Sequence, residues 1–177
     1  MLVSETYGIY DSPRVYYRND GTVLDLTYQS GASVTSVDGE LVITTSTSGE
    51  KKVNFPTGYF TNSENVCCEM EYRGGGGSQI FAISLNNSSN SSQGYVSMGA
   101  SDTTMYFAIA QNGTSTVPVD LQVGDIFRFV RENGYTKVYQ NGTLLKEEYR
   151  SISNYRFGFY TNNGRIQKWD NITIYEL

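Results

Sequence analysis

The sequence predicts an all-β chain: a two-sheet antiparallel β-sandwich preceded by an N-terminal arm. Three observations carry that prediction. Apolar and polar residues alternate with period two through most of 125–177, the mark of half-buried strands. The breaks in that stretch fall at Asn133-Gly134, Asn141-Gly142 and Asn163-Gly164, pairs that tolerate the positive φ of a tight hairpin turn. No window carries an apolar period of 3.6, so little helix is expected.

The elements follow in order. Residues 1–20 hold Tyr7, Tyr10, Tyr16, Tyr17 and Pro13 without clean alternation. They read as an arm packed on its own sandwich or on a neighbouring subunit, and residues 21–177 as the domain. The expected strands are Thr22–Tyr28, Glu40–Thr45, Lys51–Phe55, Asn65–Arg73, Gln79–Leu85, Gly94–Met98, Thr103–Ala110, Asp125–Arg131, Tyr135–Gln140, Thr143–Glu148, Tyr155–Thr161 and Gln167–Glu176. Alternation assigns their core faces: Cys68, Met70 and Tyr72; Phe81, Ile83 and Leu85; Met105, Phe107 and Ile109; Tyr155, Phe157 and Phe159. The polar tract Asn86–Gln93 reads as a solvated excursion, and Gly74–Ser78 as a hairpin loop. Gln-Asn-Gly-Thr occurs at 111–114 and at 140–143, but its flanks do not repeat, so it is shared turn chemistry.

Composition narrows the function classes. A chain of 177 residues with 18 Gly, 15 Tyr and 3 Pro suits one domain of short strands joined by glycine and asparagine turns. Its net charge of −5 and lack of a basic run argue against nucleic acid, which needs a clustered cationic surface. The absence of histidine removes the commonest general base and metal ligand together. Cys67 and Cys68 are adjacent; one is expected buried and the other partly exposed, in a chain that folds under reducing conditions. The start shows no signal-peptide pattern, and no apolar run approaches a membrane-spanning length.

Several segments carry a family likeness. Arg128-Phe129-Val130-Arg131 leads to Val138-Tyr139-Gln140-Asn141-Gly142; Phe157-Gly158-Phe159-Tyr160 leads to Trp169-Asp170-Asn171-Ile172-Thr173-Ile174-Tyr175; and Val37-Asp38-Gly39-Glu40-Leu41-Val42-Ile43 precedes both. Over residues 22–177 this pattern resembles the concanavalin A-like lectin/glucanase (laminin G-like) jelly-roll superfamily. The resemblance implies a jelly-roll sandwich, and is poor for function because that fold hosts lectins, hydrolases, adhesins and virion proteins. The superfamily's glucanases use a strand of three spaced carboxylates, two of them about 5 to 5.5 Å apart in retaining chemistry. Here only Glu69-Met70-Glu71 comes near it, and position 73 is Arg, so no catalytic residue is assigned. Asp170 stands where some members hold calcium, but no second acidic cluster supports it; neither metal nor cofactor is expected.

Sugar recognition uses flat aromatic faces and planar polar groups. Tyr106, Tyr139, Tyr160 and Trp169, with Arg156 as donor, are the candidate glycan-binding residues; Arg128 lies near them in strand order. Three readings of the rings stay open: strand-favouring side chains, a glycan platform, or a protein contact. Together these features predict a non-catalytic, lectin-like protein on the virion of a tailed virus. It would act in capsid decoration or tail attachment, with host-surface glycans as ligand, and would join other virion or surface proteins and further copies of itself through the arm. The alternatives are a carbohydrate-binding module and a degenerate glycoside hydrolase.

Overall fold

The computed structural model describes residues 12–19, 26–46, 49, 51–76, 81–89, 92–98, 103–109, 113–161 and 164–177. The strands are β1 (Val15–Arg18), β2 (Thr27–Tyr28), β3 (Ala32–Val37), β4 (Glu40–Thr45), β5 (Lys51–Asn54), β6 (Val66–Gly76), β7 (Phe81–Asn86) and β8 (Ser92–Met98). They continue as β9 (Thr104–Ala108), β10 (Ser115–Pro118), β11 (Ile126–Glu132), β12 (Tyr135–Gln140), β13 (Thr143–Tyr149), β14 (Arg156–Thr161) and β15 (Ile166–Glu176). No helix occurs among the described residues. One sheet has eight strands in the order β13-β12-β11-β6-β15-β4-β3, with β1 paired to β15; the other has seven, in the order β10-β9-β8-β7-β14-β5-β2. All the strand pairings are antiparallel, as the period-two pattern requires.

Turn chemistry sets the register. Asp38-Gly39, Asn133-Gly134 and Asn141-Gly142 all take positive φ at both residues and close the hairpins β3–β4, β11–β12 and β12–β13. Register in turn sends one side of each strand inward. Cys68, Met70, Ile83, Leu85, Met105, Phe107, Ile109, Tyr155, Phe157 and Phe159 are all buried, as alternation predicts. Rings cross between the sheets: Phe159 of β14 lies 6.1 Å from Trp169 of β15. The buried hydroxyls of Thr45 and Thr161 meet at 2.6 Å.

The structure corrects several expectations. Of the two packings expected for the arm, its described part takes the first, and as a strand: Val15–Arg18 pairs with β15, and Tyr16 and Tyr17 pack on Phe60 and Phe55 at ring distances of 4.9 and 5.0 Å. A register shift between Val15 and Tyr17 lets two consecutive tyrosines reach the core. The described part of the arm is therefore packed against its own sandwich; residues 1–11, with Tyr7 and Tyr10, lie outside the described range. Gly74–Gly76 is no loop but the end of β6, paired with Ile166–Lys168. Asn86 and Ser92–Gln93 belong to β7 and β8, which shortens the polar excursion. β3 and β10 were not anticipated. Both cysteines are buried: Cys68 in the core, Cys67 on the other side of β6, among Arg128 and Tyr175. Burial pushes both thiols up, Cys68 the further, and raises the Tyr175 phenol to about 12.

Candidate functional site

The outer face of the seven-stranded sheet is built on small residues. Along β7, Ile83 and Leu85 point inward, so Ala82, Ser84 and Asn86 point outward; yet all three are fully buried. Large neighbours must cover them. Tyr95 of β8 stands opposite Ser84, and Tyr160 of β14 lies beyond Ala82 in the row. Their rings stack with centroids 5.6 Å apart and planes 13° from parallel. This half-buried pair forms a platform on the sheet.

Basic groups gather round it. Lys52, the cross-strand partner of Tyr160 on β5, places its Nζ 4.2 Å from that ring's centroid. Arg165, from the β14–β15 connection, brings its guanidinium carbon to 5.5 Å from the same ring. The Arg165 Nε and Nη1 atoms are buried and find no hydrogen-bond partner among the described residues. Arg150 donates from Nη1 to the carbonyl of Gln93 beside Tyr95. Lys52, Gln93, Tyr95, Arg150 and Tyr160 border a shallow pocket of about 170 Å³. Two larger recesses, about 440 and 400 Å³, lie beside β1. Each is lined by one arginine and one glutamate, Arg14 and Glu176 in the first and Arg18 and Glu69 in the second, so neither lining is purely basic.

Two polar devices hold the platform in place. β7 and β14 pair up to Ile83–Phe159, and there Gln167 reaches across from the other sheet. The Gln167 side chain accepts from the Ala82 N–H at 2.9 Å and donates to the Tyr160 carbonyl at 2.8 Å, satisfying a splayed ladder. Further along β7, on the outer face, Asn86 Nδ2 donates to Asn54 Oδ1 at 2.8 Å. These two amides lie beside Gly158, where a Cβ would come within 2.4 Å of the Val53 carbonyl and 2.9 Å of each amide. Arg156 follows on β14, its guanidinium carbon 4.9 Å from the Tyr59 ring centroid.

Of the residues singled out in the sequence, Tyr106, Tyr160 and Arg156 share this face. Tyr106 is 37% exposed and sits in the row Tyr106–Ser97–Ala82 that leads towards Tyr160. Three strand spacings, about 14 Å, separate β9 from β14. Tyr139 does not join them: it belongs to β12 on the eight-stranded sheet, with Arg128 over its ring at 5.7 Å. Trp169 is excluded as a stacking surface. It is fully buried and edge-on to Tyr72 and Phe127 at 5.6 and 6.2 Å. Sequence reasoning missed Tyr95, Lys52 and Arg165. The outward parity of Tyr95 was readable from Val96 and Met98; the other two depend on which distant strands become neighbours.

The carboxylates of Glu69 and Glu71 on the eight-stranded sheet are engaged in ion pairs. Glu69 meets Arg128 at 3.4 Å and Glu71 meets Arg73 at 3.0 Å, while Glu71 Oε2 also accepts from Asn171 Nδ2 at 2.6 Å. Asp170 accepts the amide of Asn171 at 2.7 Å inside a bulge. No group of three potential metal ligands occurs among the described residues.

No family model matches the chain, and no curated protein matches it. Solved structures do. The carbohydrate-binding module CBM66 from Bacillus subtilis is similar over 86% of this chain and 96% of its own, with a TM-score of 0.62 and 13% identity. A protein of unknown function with a galectin-like fold, also from Bacillus subtilis, matches over 93% and 98%, with a TM-score of 0.62 and 9% identity. The PL7 alginate lyase AlyA1 from Zobellia galactanivorans matches over 85% and 83%, with a TM-score of 0.56 and 12% identity. Binding modules and lyases thus share this architecture, and identities this low speak for the fold alone. The chain has the concanavalin A-like, galectin-type jelly-roll fold.

Proposed function

We propose that the chain binds carbohydrate on the outer face of its seven-stranded sheet and does not cleave it. The stacked, half-buried Tyr95–Tyr160 pair carries this reading, since sugar rings are held by flat aromatic surfaces flanked by fixed polar groups. Tyr106 extends the aromatic row, and Arg156 supplies donors at its margin. The fold shared with a carbohydrate-binding module supports the same reading. Absence of cleavage is supported by composition: the chain has no histidine, and the described strands of this sheet contain no carboxylate to move a proton. We further propose a virion surface as the setting, supported by the sequence features alone; immunogold labelling of purified particles tests it, and particles without label would contradict it.

The binding reading is tested by affinity electrophoresis through gels cast with soluble polysaccharides. At least one polysaccharide should retard the protein, and Tyr95→Ala and Tyr160→Ala should migrate as if it were absent. Tyr139→Ala should behave as the unaltered chain. Retardation that survives both platform substitutions, or none in any gel, would overturn the proposal.

A further inference from the structure

Charge is divided unevenly between the two sheets. No strand of the seven-stranded sheet, as described, contains an aspartate or glutamate, and its charged residues are Lys51, Lys52 and Arg156. The strands of the eight-stranded sheet hold Glu40, Glu69, Glu71, Glu132, Glu148 and Asp170, among other acids. Cations there meet carboxylates: Arg73 with Glu40, Arg128 with Glu69, Lys137 with Glu132, Lys146 with Glu148. In a chain of net charge −5, a sheet whose charged residues are all basic forms a local positive field against an acidic background.

That field is focused on the platform. Lys52 and Arg165 both approach the Tyr160 ring, and Arg150 borders the pocket that Lys52 and Tyr95 share. The Arg165 donors noted above have no carboxylate among the described residues. The chemistry of these groups discriminates between ligands. A sugar hydroxyl both donates and accepts, whereas ammonium and guanidinium only donate. Their natural complement is a group that only accepts, such as a carboxylate or sulfate.

We propose that the ligand of this face is an anionic saccharide, a chain bearing carboxylate or sulfate groups. This rests on the carbohydrate-binding reading of the same face and adds the class of sugar. The rings hold the flat faces of the residues, and the positive field of the basic groups around them attracts the charged substituents.

Calorimetric titration with matched pairs separates the two claims. Oligogalacturonate is compared with its methyl ester, and dextran sulfate with dextran, so that each pair differs in charge and not in sugar. The charged member of one pair should bind, with its neutral twin about tenfold weaker or worse, since charge-assisted hydrogen bonds are roughly twice as strong as neutral ones. Which pair responds distinguishes carboxylate from sulfate. Affinity should fall as sodium chloride rises from about 50 to about 500 mM, because exposed charges are screened over that range. Arg165→Gln should lower affinity about tenfold at an unchanged thermal midpoint, as for one lost charged hydrogen bond. Equal binding of both members, with the tyrosine dependence intact, would overturn the anionic class and leave the glycan site standing. No binding of any saccharide would overturn both. Binding of polyglutamate or single-stranded DNA as tight as that of the charged saccharide would overturn sugar recognition in favour of plain polyanion attachment.

Discussion

At Gly158 the sheet accepts nothing larger than hydrogen. An added methyl would press on the Val53 carbonyl, which is fixed in the β5–β14 ladder, and on the Asn54–Asn86 amide pair. Backbone cannot yield as a flexible side-chain end can. Gly158→Ala should therefore lower stability by about 1–3 kcal/mol, the usual range for overpacking. A urea midpoint unchanged from the parent would show that the strands part more easily than the geometry implies. Trp169 shows how one residue can mislead a reading by alternation. Counting back in twos from Ile174 and Ile172 turns Trp169 outward. The register shift between Asp170 and Thr173 resets the parity, with Asn171 at a φ of 49°, and sends Trp169 into the core. Asp170-Asn171 was the visible hint, since Asn tolerates the left-handed region better than most residues.

At the scale of the element, β1 covers half of one side of β15. Its registered partners are Ile174, Tyr175 and Thr173, and β4 pairs with the other end of the same strand. Removing residues 1–18 would expose that edge and withdraw Tyr16 and Tyr17 from Phe60 and Phe55. The truncated chain should lose about 2–4 kcal/mol, since two half-buried tyrosines each give up part of the roughly 1.5–3 kcal/mol of full aromatic burial. A denaturation midpoint equal to that of the whole chain would mean the strand adds nothing to the sandwich. Alternating strands bounded by Asn-Gly or Asp-Gly were legible because both face and turn were written locally: β4 and β12 keep their predicted bounds. β3 was not, although Asp38-Gly39 marked its turn, because an edge strand of serine, threonine and valine buries little and need not alternate. β1 escaped because its bulge breaks the period.

On the scale of the whole molecule, the site depends on strand order. β14 lies between β7 and β5, so Tyr160 meets Lys52 and approaches Tyr95 across long separations in sequence. Alternation could say that Tyr106 and Tyr160 face away from the core. It could not say that Tyr139 belongs to the other sheet, nor that the acids of the described strands all fall on the eight-stranded sheet. Both follow from pairings between distant segments, which local pattern does not encode. The same order lets Gln167 cross between the layers and fix the backbone beneath the platform. One face of the sandwich is thus proposed to hold the saccharide. The direct measurement is an amide-shift titration of the nitrogen-15-labelled protein with the oligosaccharide most retarding in the gel panel. Shifts should concentrate on β5, β7, β8 and β14 around Lys52, Tyr95 and Tyr160. Shifts concentrated instead around Arg128 and Tyr139 on the eight-stranded sheet would contradict it.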